Sequence, residues 1–444
     1  MNRFYSPLIN PLIEGVDTND LVIATYLMGA TMDEEPVLKA VSMAIEQTTG
    51  SWADVPEETE EVRAKYCGKV LSIYEVPDYE NETTAQMSCD RSAMRYYVVR
   101  IGFPVDNIED NIPLLLASIA GNITALPCLR ILDIDFPAKF TDKFQGPKFG
   151  LQGVRDVLGV QGRPLLNNMI KPCTGYTPDV GAKLFFEAAA GGVDIIKDDE
   201  LIAGDRVFNS LTERVKKNMD AARRAEEVKG EKTLYTVNIT DEMSRLKDNA
   251  YRAIDAGANA LMVDAFGIGL SAMRMLAEDP NVNVPILAHI CFGMSWTTSP
   301  IQGISSFVLN KLLRICGADI ILTECGYGKF DISFAKYIKC IHATNSPFHN
   351  LKPALPFVGG GVVPGLVPQL LDDIGPDVLF GVGAGIHAHP MGPRAGAIAF
   401  RVAFDALMAG KTLHEAAADS PELKASLDKW GIYGEDKLKE NYAL

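Results

Sequence analysis

After about residue 150, short apolar runs alternate with longer amphipathic segments, and this alternation is the feature that most restricts the fold. Apolar runs of this length suit strands that are buried on both faces of a parallel sheet. The segments between them, for example 210–229 and 248–256, have the spacing of helices. Eight such strands with intervening helices predict a (β/α)8 TIM barrel. The predicted strands are 166–171, 193–198, 234–239, 260–266, 285–290, 318–323, 356–359 and 378–381.

The first 150 residues lack this repeat and predict a smaller α+β domain of the ferredoxin-like type. Its strand-like segments are 21–27, 69–76 and 95–103, and its helix-like segment is 36–47. The stretch 139–150 is interrupted by Gly and Pro and is the best domain boundary. We therefore expect an α/β protein with an N-terminal α+β domain at 1–145 and a C-terminal barrel at 146–444. The barrel domain would include the catalytic face and the C-terminal helices.

Charge and cysteine usage narrow the class of function. The 444 residues include 42 Lys and Arg and 57 Asp and Glu, which gives a net charge of −15. This balance argues against nucleic acid or an anionic membrane as the main partner, because both require a surplus of basic residues. The eight cysteines are scattered without a CxxC motif, which is typical of buried thiols in a reducing compartment. With no signal peptide or long apolar run, we expect a cytoplasmic protein.

Charged side chains cluster where the second predicted strand of the barrel ends. Lys197, Asp199 and Glu200 lie at this point, and barrel enzymes carry their active sites at the carboxyl ends of the strands. Carboxylate oxygens suit a hard cation such as Mg²⁺. From the residues alone, a solvated charge cluster at a strand end is an equally open interpretation.

Other strand ends contain residues that could transfer protons or bind phosphate. Burial could make Lys171 or Lys329 an acid or base, but both could equally be surface lysines. His289 could line a site or be a core histidine. The glycine clusters at 359–361 and 381–390 could bring backbone N–H groups close to a phosphate, or could be plain turns.

Taken together, these segments resemble the large-subunit family of ribulose-bisphosphate carboxylase (RuBisCO), and in particular its RuBisCO-like proteins of form IV. The resemblance covers nearly the whole chain in order. The matching segments are MIKP with Lys171, GGVDIIKDDE (191–200), His289, the sixth loop with Lys329, the Gly-rich HP turn (381–390), EQTTGSW (46–52) and SIAGN (118–122).

The resemblance implies a metal site and a shared active site. Lys197 would be carbamylated by CO₂ (N6-carboxylysine) and would hold Mg²⁺ with Asp199 and Glu200. Lys171 would be the acid or base, and Lys329 would contact a carboxylate. The family also implies a head-to-tail homodimer, or a higher oligomer, in which the partner's N-terminal domain completes the site. By the same matching, His289 lines the site, Glu46, Ser51, Trp52 and Asn122 come from the partner, and Ser51, Trp52, Gly360, Gly361, Gly383 and Gly385 bind phosphate.

Four positions depart from the carboxylase pattern. Cys173 replaces the family's second lysine, and Gly359 replaces the serine of the seventh strand. Ile290 and Leu322 stand where an arginine and a histidine grip one of the two substrate phosphates. Loss of that charge and of those donors removes one phosphate site. The pattern therefore predicts a monophosphate substrate and argues against ribulose-bisphosphate carboxylation.

Three reactions known for RuBisCO-like proteins are candidates for a chain with this pattern of kept and replaced residues. The 2,3-diketo-5-methylthiopentyl-1-phosphate enolases share the GIHxHP turn and the C-terminal WG. They carry a lysine in place of Asn122, however, and lack a lysine in the sixth loop. Methylthioribulose-phosphate isomerases depart further. The third group acts on 3-oxo-isoapionate 4-phosphate in carbohydrate catabolism.

We favour the third chemistry, a Mg²⁺-dependent carbon–carbon lyase that decarboxylates a phosphorylated β-keto sugar acid through a metal-bound enediolate. The alternatives are an enolase or tautomerase of a ketose monophosphate and a hydrolytic C–C cleavage of the same keto acid. A non-enzymatic protein that retains the fold is the alternative from another class.

Overall fold

The computed structural model describes residues 17–50, 53, 55–76, 94–329 and 332–435. The chain forms two compact units. The first contains the described residues up to Phe144 together with Gly293–Leu309, and the second contains Gln145–Phe292 and the described residues from Asn310 onward. Residues 293–309 thus follow the ninth strand in sequence but group with the first unit.

The strands, in chain order, are β1 (Leu21–Thr31), β2 (Lys69–Val76), β3 (Met94–Pro104), β4 (Leu129–Asp135), β5 (Leu165–Met169), β6 (Ile195–Lys197), β7 (Leu234–Asn238), β8 (Ala260–Asp264), β9 (Ile286–His289), β10 (Gly303–Ile304), β11 (Ile320–Glu324), β12 (Leu355–Gly359) and β13 (Leu379–Val382).

The α-helices are α1 (Pro36–Glu46), α2 (Glu60–Tyr66), α3 (Val105–Ile108), α4 (Ile112–Ala120), α5 (Ala138–Thr141), α6 (Gly150–Leu158), α7 (Pro178–Ala190), α8 (Leu211–Lys229), α9 (Met243–Asp255), α10 (Ala265–Ile268), α11 (Leu270–Glu278), α12 (Ser306–Ile315), α13 (Phe334–Asn345), α14 (Val367–Ile374), α15 (Ala384–His387), α16 (Pro393–Met408), α17 (Leu413–Asp419) and α18 (Pro421–Trp430). Among the described residues, no helix combines the length and the apolar character needed to cross a membrane.

The first unit contains a mixed five-stranded sheet in the order β10-β4-β1-β3-β2. β1 pairs antiparallel with β3 and β4, β2 pairs antiparallel with β3, and β10 pairs parallel with β4. The central strand β1 is buried along most of its length. The hydroxyl of Tyr26 in β1 donates a 2.7 Å hydrogen bond to the carbonyl of Ile119, which ties α4 to the sheet. The predicted α+β fold is confirmed.

The second unit is a closed barrel of eight parallel strands in the order β5-β6-β7-β8-β9-β11-β12-β13. Every predicted run overlaps one of these strands, so the predicted (β/α)8 barrel is confirmed. Buried apolar side chains fill its interior, and they come from the strands and from α6. The members of this cluster are Val154, Leu158, Val160, Leu165, Ile195, Leu234, Ala260, Met262, Leu287, Ile320, Leu355, Phe357 and Leu379.

A buried charge cluster lies at the amino-terminal end of β6. Arg163 makes two 2.8 Å hydrogen bonds to the carboxylate of Asp194, and Arg401 pairs with Glu231 at 2.7 Å. Lys229, at the end of α8, donates a 2.5 Å hydrogen bond to the carbonyl of Val193. Burial lowers the pKa of Lys229 from 10.5 to about 8, although neighbouring carboxylates oppose the change.

Lys229→Met should stabilise the protein at neutral pH, because a lysine whose folded pKa is depressed favours the unfolded chain when it is protonated. The gap between 10.5 and about 8 corresponds to roughly 3 kcal/mol at most. Since the unfolded state binds more protons in this range, wild-type stability rises between pH 8 and pH 10.5, and the advantage of the variant should shrink there. Urea unfolding at several pH values measures this difference. Lys232→Met, at an exposed neighbour, is the control, and a pH-independent difference would contradict the prediction.

Candidate active site

The carboxyl end of β6 brings four predicted site residues together. The side chain of Lys197 is buried, and its Nζ donates a 2.8 Å hydrogen bond to the carbonyl of Asp198. The same Nζ lies 3.3 Å from Oε2 of Glu200. Oδ2 of Asp199 accepts a 2.8 Å hydrogen bond from Nζ of Lys171, at the end of β5. This part of the barrel mouth therefore contains two ammonium groups, each close to one carboxylate. We call these four residues the rim.

Asp198, between the two rim residues Lys197 and Asp199, holds this strand end in place. Its carboxylate accepts a 3.0 Å hydrogen bond from Nε of Arg214 and a 2.6 Å hydrogen bond from the hydroxyl of Tyr235. Both side chains of the Asp198–Arg214 pair are 0% exposed. Alternate residues of an extended chain point to opposite sides. Anchoring Asp198 in the barrel wall therefore directs its neighbours into the mouth.

His289 lies at the end of β9 and contacts the rim. Its Nε2 is 3.4 Å from Oε2 of Glu200, and its Nδ1 accepts a 3.1 Å hydrogen bond from the backbone N–H of Cys291. Burial, together with the charge of Lys197, lowers the pKa of His289, so its imidazole is neutral. Burial alone would raise the pKa of Glu200, but the charge and the hydrogen bond of Lys197 outweigh it and hold that pKa well below its usual range. Glu200 is therefore ionised.

Lys171 has two close partners in the mouth. Its Nζ donates to Asp199 and also lies 2.7 Å from Sγ of Cys173, the residue that replaces a lysine of the family pattern. Burial would lower the pKa of Lys171, but these two hydrogen bonds raise it above the ordinary lysine value. A Cβ on Gly383 would lie 3.1 Å from Cε of Lys171, so the glycine leaves room for this side chain.

The sixth loop and the seventh strand approach each other through their backbones. The N–H of Lys329 donates a 3.1 Å hydrogen bond to the carbonyl of Gly360. A Cβ on Gly328 would lie only 1.6 Å from that carbonyl oxygen. Gly360 and Gly361 have φ angles of 102° and 95°, which favour glycine. The predicted phosphate-binding residues Gly360 and Gly361 thus follow the strand end that holds the backbone of the exposed Lys329, and Gly383 lies beside Lys171. Gly385 is buried in α15, with Val362 O only 2.9 Å from where its Cβ would be.

Leu322 and Ile290, which we call the apolar wall, stand where the family pattern has a second phosphate grip. Leu322 packs against the barrel core, and a Cβ on Gly359 would lie 3.3 Å from Cδ1 of Leu322. Ile290, which follows His289, is partly buried. These apolar groups offer no charge and no side-chain hydrogen-bond donor to a phosphate.

Two further predicted residues lie together in the first unit. Nδ2 of Asn122 donates a 3.1 Å hydrogen bond to Oε1 of Glu46, and both residues are exposed. They line a cavity of about 560 Å³ within that unit. Ser51 and Trp52, which were predicted to bind phosphate, lie outside the described residues.

The rim fits a divalent cation of the Mg²⁺ type. Asp199 and Glu200 offer carboxylate oxygens, which hard cations prefer. Lys197 has the position of a third ligand, because its Nζ lies 3.3 Å from Oε2 of Glu200. A carbamate on this nitrogen would replace an N–H donor by oxygen ligands. The donor set is therefore suited to the cation once Lys197 is carbamylated.

Sequence reasoning missed Asp264, Cys291 and His387. Asp264 ends β8 beside His289, with 3.8 Å between Oδ1 of Asp264 and Nδ1 of His289, and burial raises its pKa to about 6. His387 lies 3.1 Å from Oδ1 of Asn168, and burial together with Lys171 lowers its pKa to about 4. The sequence feature that identified the rim residues, a polar side chain where an apolar strand ends, is also present at Asp264. The position of Cys291 depends on how the chain turns after β9.

Comparison with known proteins identifies the family. Residues 15–140 match the ribulose bisphosphate carboxylase large chain, N-terminal domain, and residues 150–430 match its catalytic domain. The chain belongs to the RuBisCO large-chain family. The RuBisCO-like resemblance of the sequence is thereby confirmed.

Within the RuBisCO family, the chain is similar to several RuBisCO-like proteins. It is 46% identical over 413 residues to the ribulose bisphosphate carboxylase-like protein of Archaeoglobus fulgidus, covering 92% of this chain and 93% of that protein. It is 34% identical to the 2,3-diketo-5-methylthiopentyl-1-phosphate enolase of Geobacillus kaustophilus, covering 93% and 98%.

Solved structures of the family give the same result. A rubisco-like protein (MtnW) from Alicyclobacillus acidocaldarius superposes with a TM-score of 0.85 at 34% identity, covering 93% of this chain and all of that one. The dimeric archaeal RuBisCO of Hyperthermus butylicus superposes with a TM-score of 0.84 at 28% identity, covering 96% and 98%. The RuBisCO-like relatives whose names state an activity are 2,3-diketo-5-methylthiopentyl-1-phosphate enolases. The comparisons therefore support the enolase alternative better than the decarboxylase hypothesis.

Arg214→Met should destabilise the protein by about 3–5 kcal/mol, because it leaves the carboxylate of Asp198 buried without its charged partner. Chemical denaturation measures this loss. Arg223→Met is the control, since Arg223 is 72% exposed and its ion pair with Asp220 should contribute less than about 1 kcal/mol. Adding Asp198→Asn to Arg214→Met should recover part of the loss. A loss for Arg214→Met as small as that of the control would show that the pair does not hold the strand end.

Proposed function

We propose that the protein catalyses the enolisation of a phosphorylated ketone, of the type of 2,3-diketo-5-methylthiopentyl-1-phosphate. One observation carries this proposal: the charged rim of Lys171, Lys197, Asp199 and Glu200 faces a mouth in which an apolar wall has replaced one phosphate grip. Such a site can stabilise negative charge on a substrate oxygen but can hold only one phosphate. The names of the similar enolases support the same chemistry.

Lys197 as a carbamate, Asp199 and Glu200 would hold Mg²⁺. When bound, the cation acts as a Lewis acid that polarises the carbonyl group of the substrate. Glu200 is suited to this role because its carboxylate lies 3.3 Å from Nζ of Lys197, on the same strand end. The buried aliphatic part of Lys197 keeps its terminal nitrogen on the rim.

Lys171 is the residue that we assign to proton transfer. Enolisation removes a proton from the carbon next to a carbonyl, and an amine can accept that proton only in its neutral form. The hydrogen bonds of Lys171 with Asp199 and Cys173 favour its charged form. Binding of the substrate therefore has to weaken at least one of these contacts before Lys171 acts as a base. The charged form can return a proton to the product.

The two sides of the mouth would bind the two ends of the substrate. We assign the phosphate to the glycine side, with the backbone N–H groups of Gly360, Gly361, Gly383 and Gly385 and with Ser51 and Trp52. Glycine allows an anion to approach the backbone closely. The uncharged end of the substrate would contact Leu322 and Ile290, because burial of apolar groups there is favourable.

A homodimer would complete the site. Glu46 and Asn122 are exposed in the first unit and hydrogen-bonded to each other, so they are presented as a fixed pair. We propose that this pair, with Ser51 and Trp52, faces the barrel mouth of a second copy of the chain. Two solved relatives, a dimeric RuBisCO from Hyperthermus butylicus and an octameric RuBisCO from Pyrococcus horikoshii, support such assembly in the family.

Decarboxylation of a phosphorylated β-keto acid is the second candidate. The observation that favours it is Lys329, whose backbone is fixed to Gly360 beside the glycine cluster. An ammonium in this place could position the carboxylate of such a substrate. The enolase pattern, by contrast, has a lysine at Asn122 and none in this loop. Both reactions pass through an enediolate, so Lys171 has the same importance in each.

Lys171→Met should reduce enolisation about 10²- to 10⁴-fold, because it removes the group that carries the proton. The reaction is followed by NMR in D₂O with Mg²⁺, bicarbonate and 2,3-diketo-5-methylthiopentyl-1-phosphate, where enolisation introduces deuterium. Lys183→Met, at an exposed position of α7, should leave the rate unchanged. Undiminished exchange in Lys171→Met would exclude the assigned role of Lys171.

¹³C NMR with 3-oxo-isoapionate 4-phosphate separates the two candidates. The enolisation proposal expects no cleavage of this compound by the wild-type protein. Release of CO₂ with a tetrulose phosphate, lost in Lys329→Ala, would establish decarboxylation instead. Formation of phosphoglycerate and glycolate would indicate hydrolytic cleavage at the same site.

A further inference from the structure

A second set of metal-binding side chains lies in the barrel mouth, separate from the three residues assigned to Mg²⁺. Asp264 ends β8, His289 ends β9, and Cys291 follows two residues later. We propose that these three residues bind Zn²⁺ or a similar transition-metal ion. The set combines an oxygen, a nitrogen and a sulfur donor, which zinc accepts and which Mg²⁺ does not favour.

The geometry is close to that of a zinc site. One donor atom from each of the three residues lies within 4.8 Å of the others. Tetrahedral zinc with bonds of about 2.0–2.3 Å places its ligands about 3.3–3.8 Å apart. Nδ1 of His289 and Oδ1 of Asp264 are already 3.8 Å apart. The Asp264–His289 separation thus already suits a shared ion, and the proposal requires the Cys291 thiolate to approach by side-chain rotation from within 4.8 Å.

Asp264 provides the second, independent sign of a ligand. The residue is only 8% exposed, and its Oδ1 has no hydrogen-bond partner among the described residues. A buried carboxylate oxygen without a partner is unfavourable. A cation between Asp264, His289 and Cys291 would satisfy this oxygen.

The second ring nitrogen of His289, Nε2, is also placed as in a zinc site. A zinc-bound histidine usually donates its second ring N–H to a carboxylate. With Nδ1 as the ligand, Nε2 of His289 points at Oε2 of Glu200, 3.4 Å away. Binding exchanges the hydrogen bond from the Cys291 amide to Nδ1 for a metal bond. Three protein ligands leave the fourth position open to water or substrate, as in catalytic zinc sites.

The test measures metal binding by the full-length protein in excess Mg²⁺. After removal of metals with a chelator under reducing conditions, Co²⁺ is added as a spectroscopic probe. Wild-type protein should bind one Co²⁺ per chain, with a near-ultraviolet thiolate-to-cobalt charge-transfer band and the visible bands of tetrahedral cobalt. Zn²⁺ should displace it in equal amount. Cys291→Ala should lose the band and bind Zn²⁺ at least about tenfold more weakly.

Cys173→Ala is the matched control, because Cys173 is also a partly buried thiol of the same mouth. It should retain the band, which would exclude a thiolate ligand from the Lys171 side. Asp264→Asn should weaken binding, and Cys291→Ala keeps the test decisive if that buried variant does not fold. A band that persists in Cys291→Ala, or wild-type protein that retains no Zn²⁺, would overturn the proposal. Neither result depends on the enolisation reaction.

Discussion

The buried pair of Asp198 and Arg214 is the interaction on which the arrangement of the site depends. A fully buried charge pair is unfavourable unless hydrogen bonds satisfy its remaining groups. Here the hydroxyl of Tyr235 and the N–H of Asn238 donate to Asp198, while Arg214 also contacts the carbonyl of Gly204. The wall of the barrel therefore fixes the residue between the rim residues. The mouth receives Lys197 and Asp199 in defined positions.

Charge balance explains how such a rim can switch from a closed set of ion pairs to a cation site. Lys171 and Lys197 carry two positive charges, and Asp199 and Glu200 carry two negative charges, so the four side chains are neutral together. A carbamate on Lys197 would change its charge from +1 to −1 and leave the rim at −2. That charge matches a divalent cation, whereas the neutral rim has little attraction for one. Carbamylation and cation binding would thus support each other.

The sequence predicted the fold best where burial determines the pattern of apolar residues. Strands of a parallel barrel are covered on both faces, so the apolar runs predicted all eight. Two-residue β10 has no such pattern, and its pairing with β4 brings 293–309 into the first unit. The contact of Lys171 with Cys173 depends on the path of a loop, which periodicity does not describe. Asp264 was missed for another reason: it was counted inside the apolar run 260–266, although its carboxylate faces His289.

The apolar wall would distinguish between reactions that share their first chemical step, because it limits which substrates can bind. Carboxylation, decarboxylation and tautomerisation all require an enediolate, so the charged rim alone cannot distinguish them. Leu322 and Ile290 offer no hydrogen bond to a second phosphate, and burying that dianion against them would cost far more than the contact could return. A substrate with one phosphate and an uncharged end avoids this cost and gains apolar contact. Under the proposed function, the wall would select the substrate, and the residues near Lys171 and Lys329 would decide the fate of the shared enediolate.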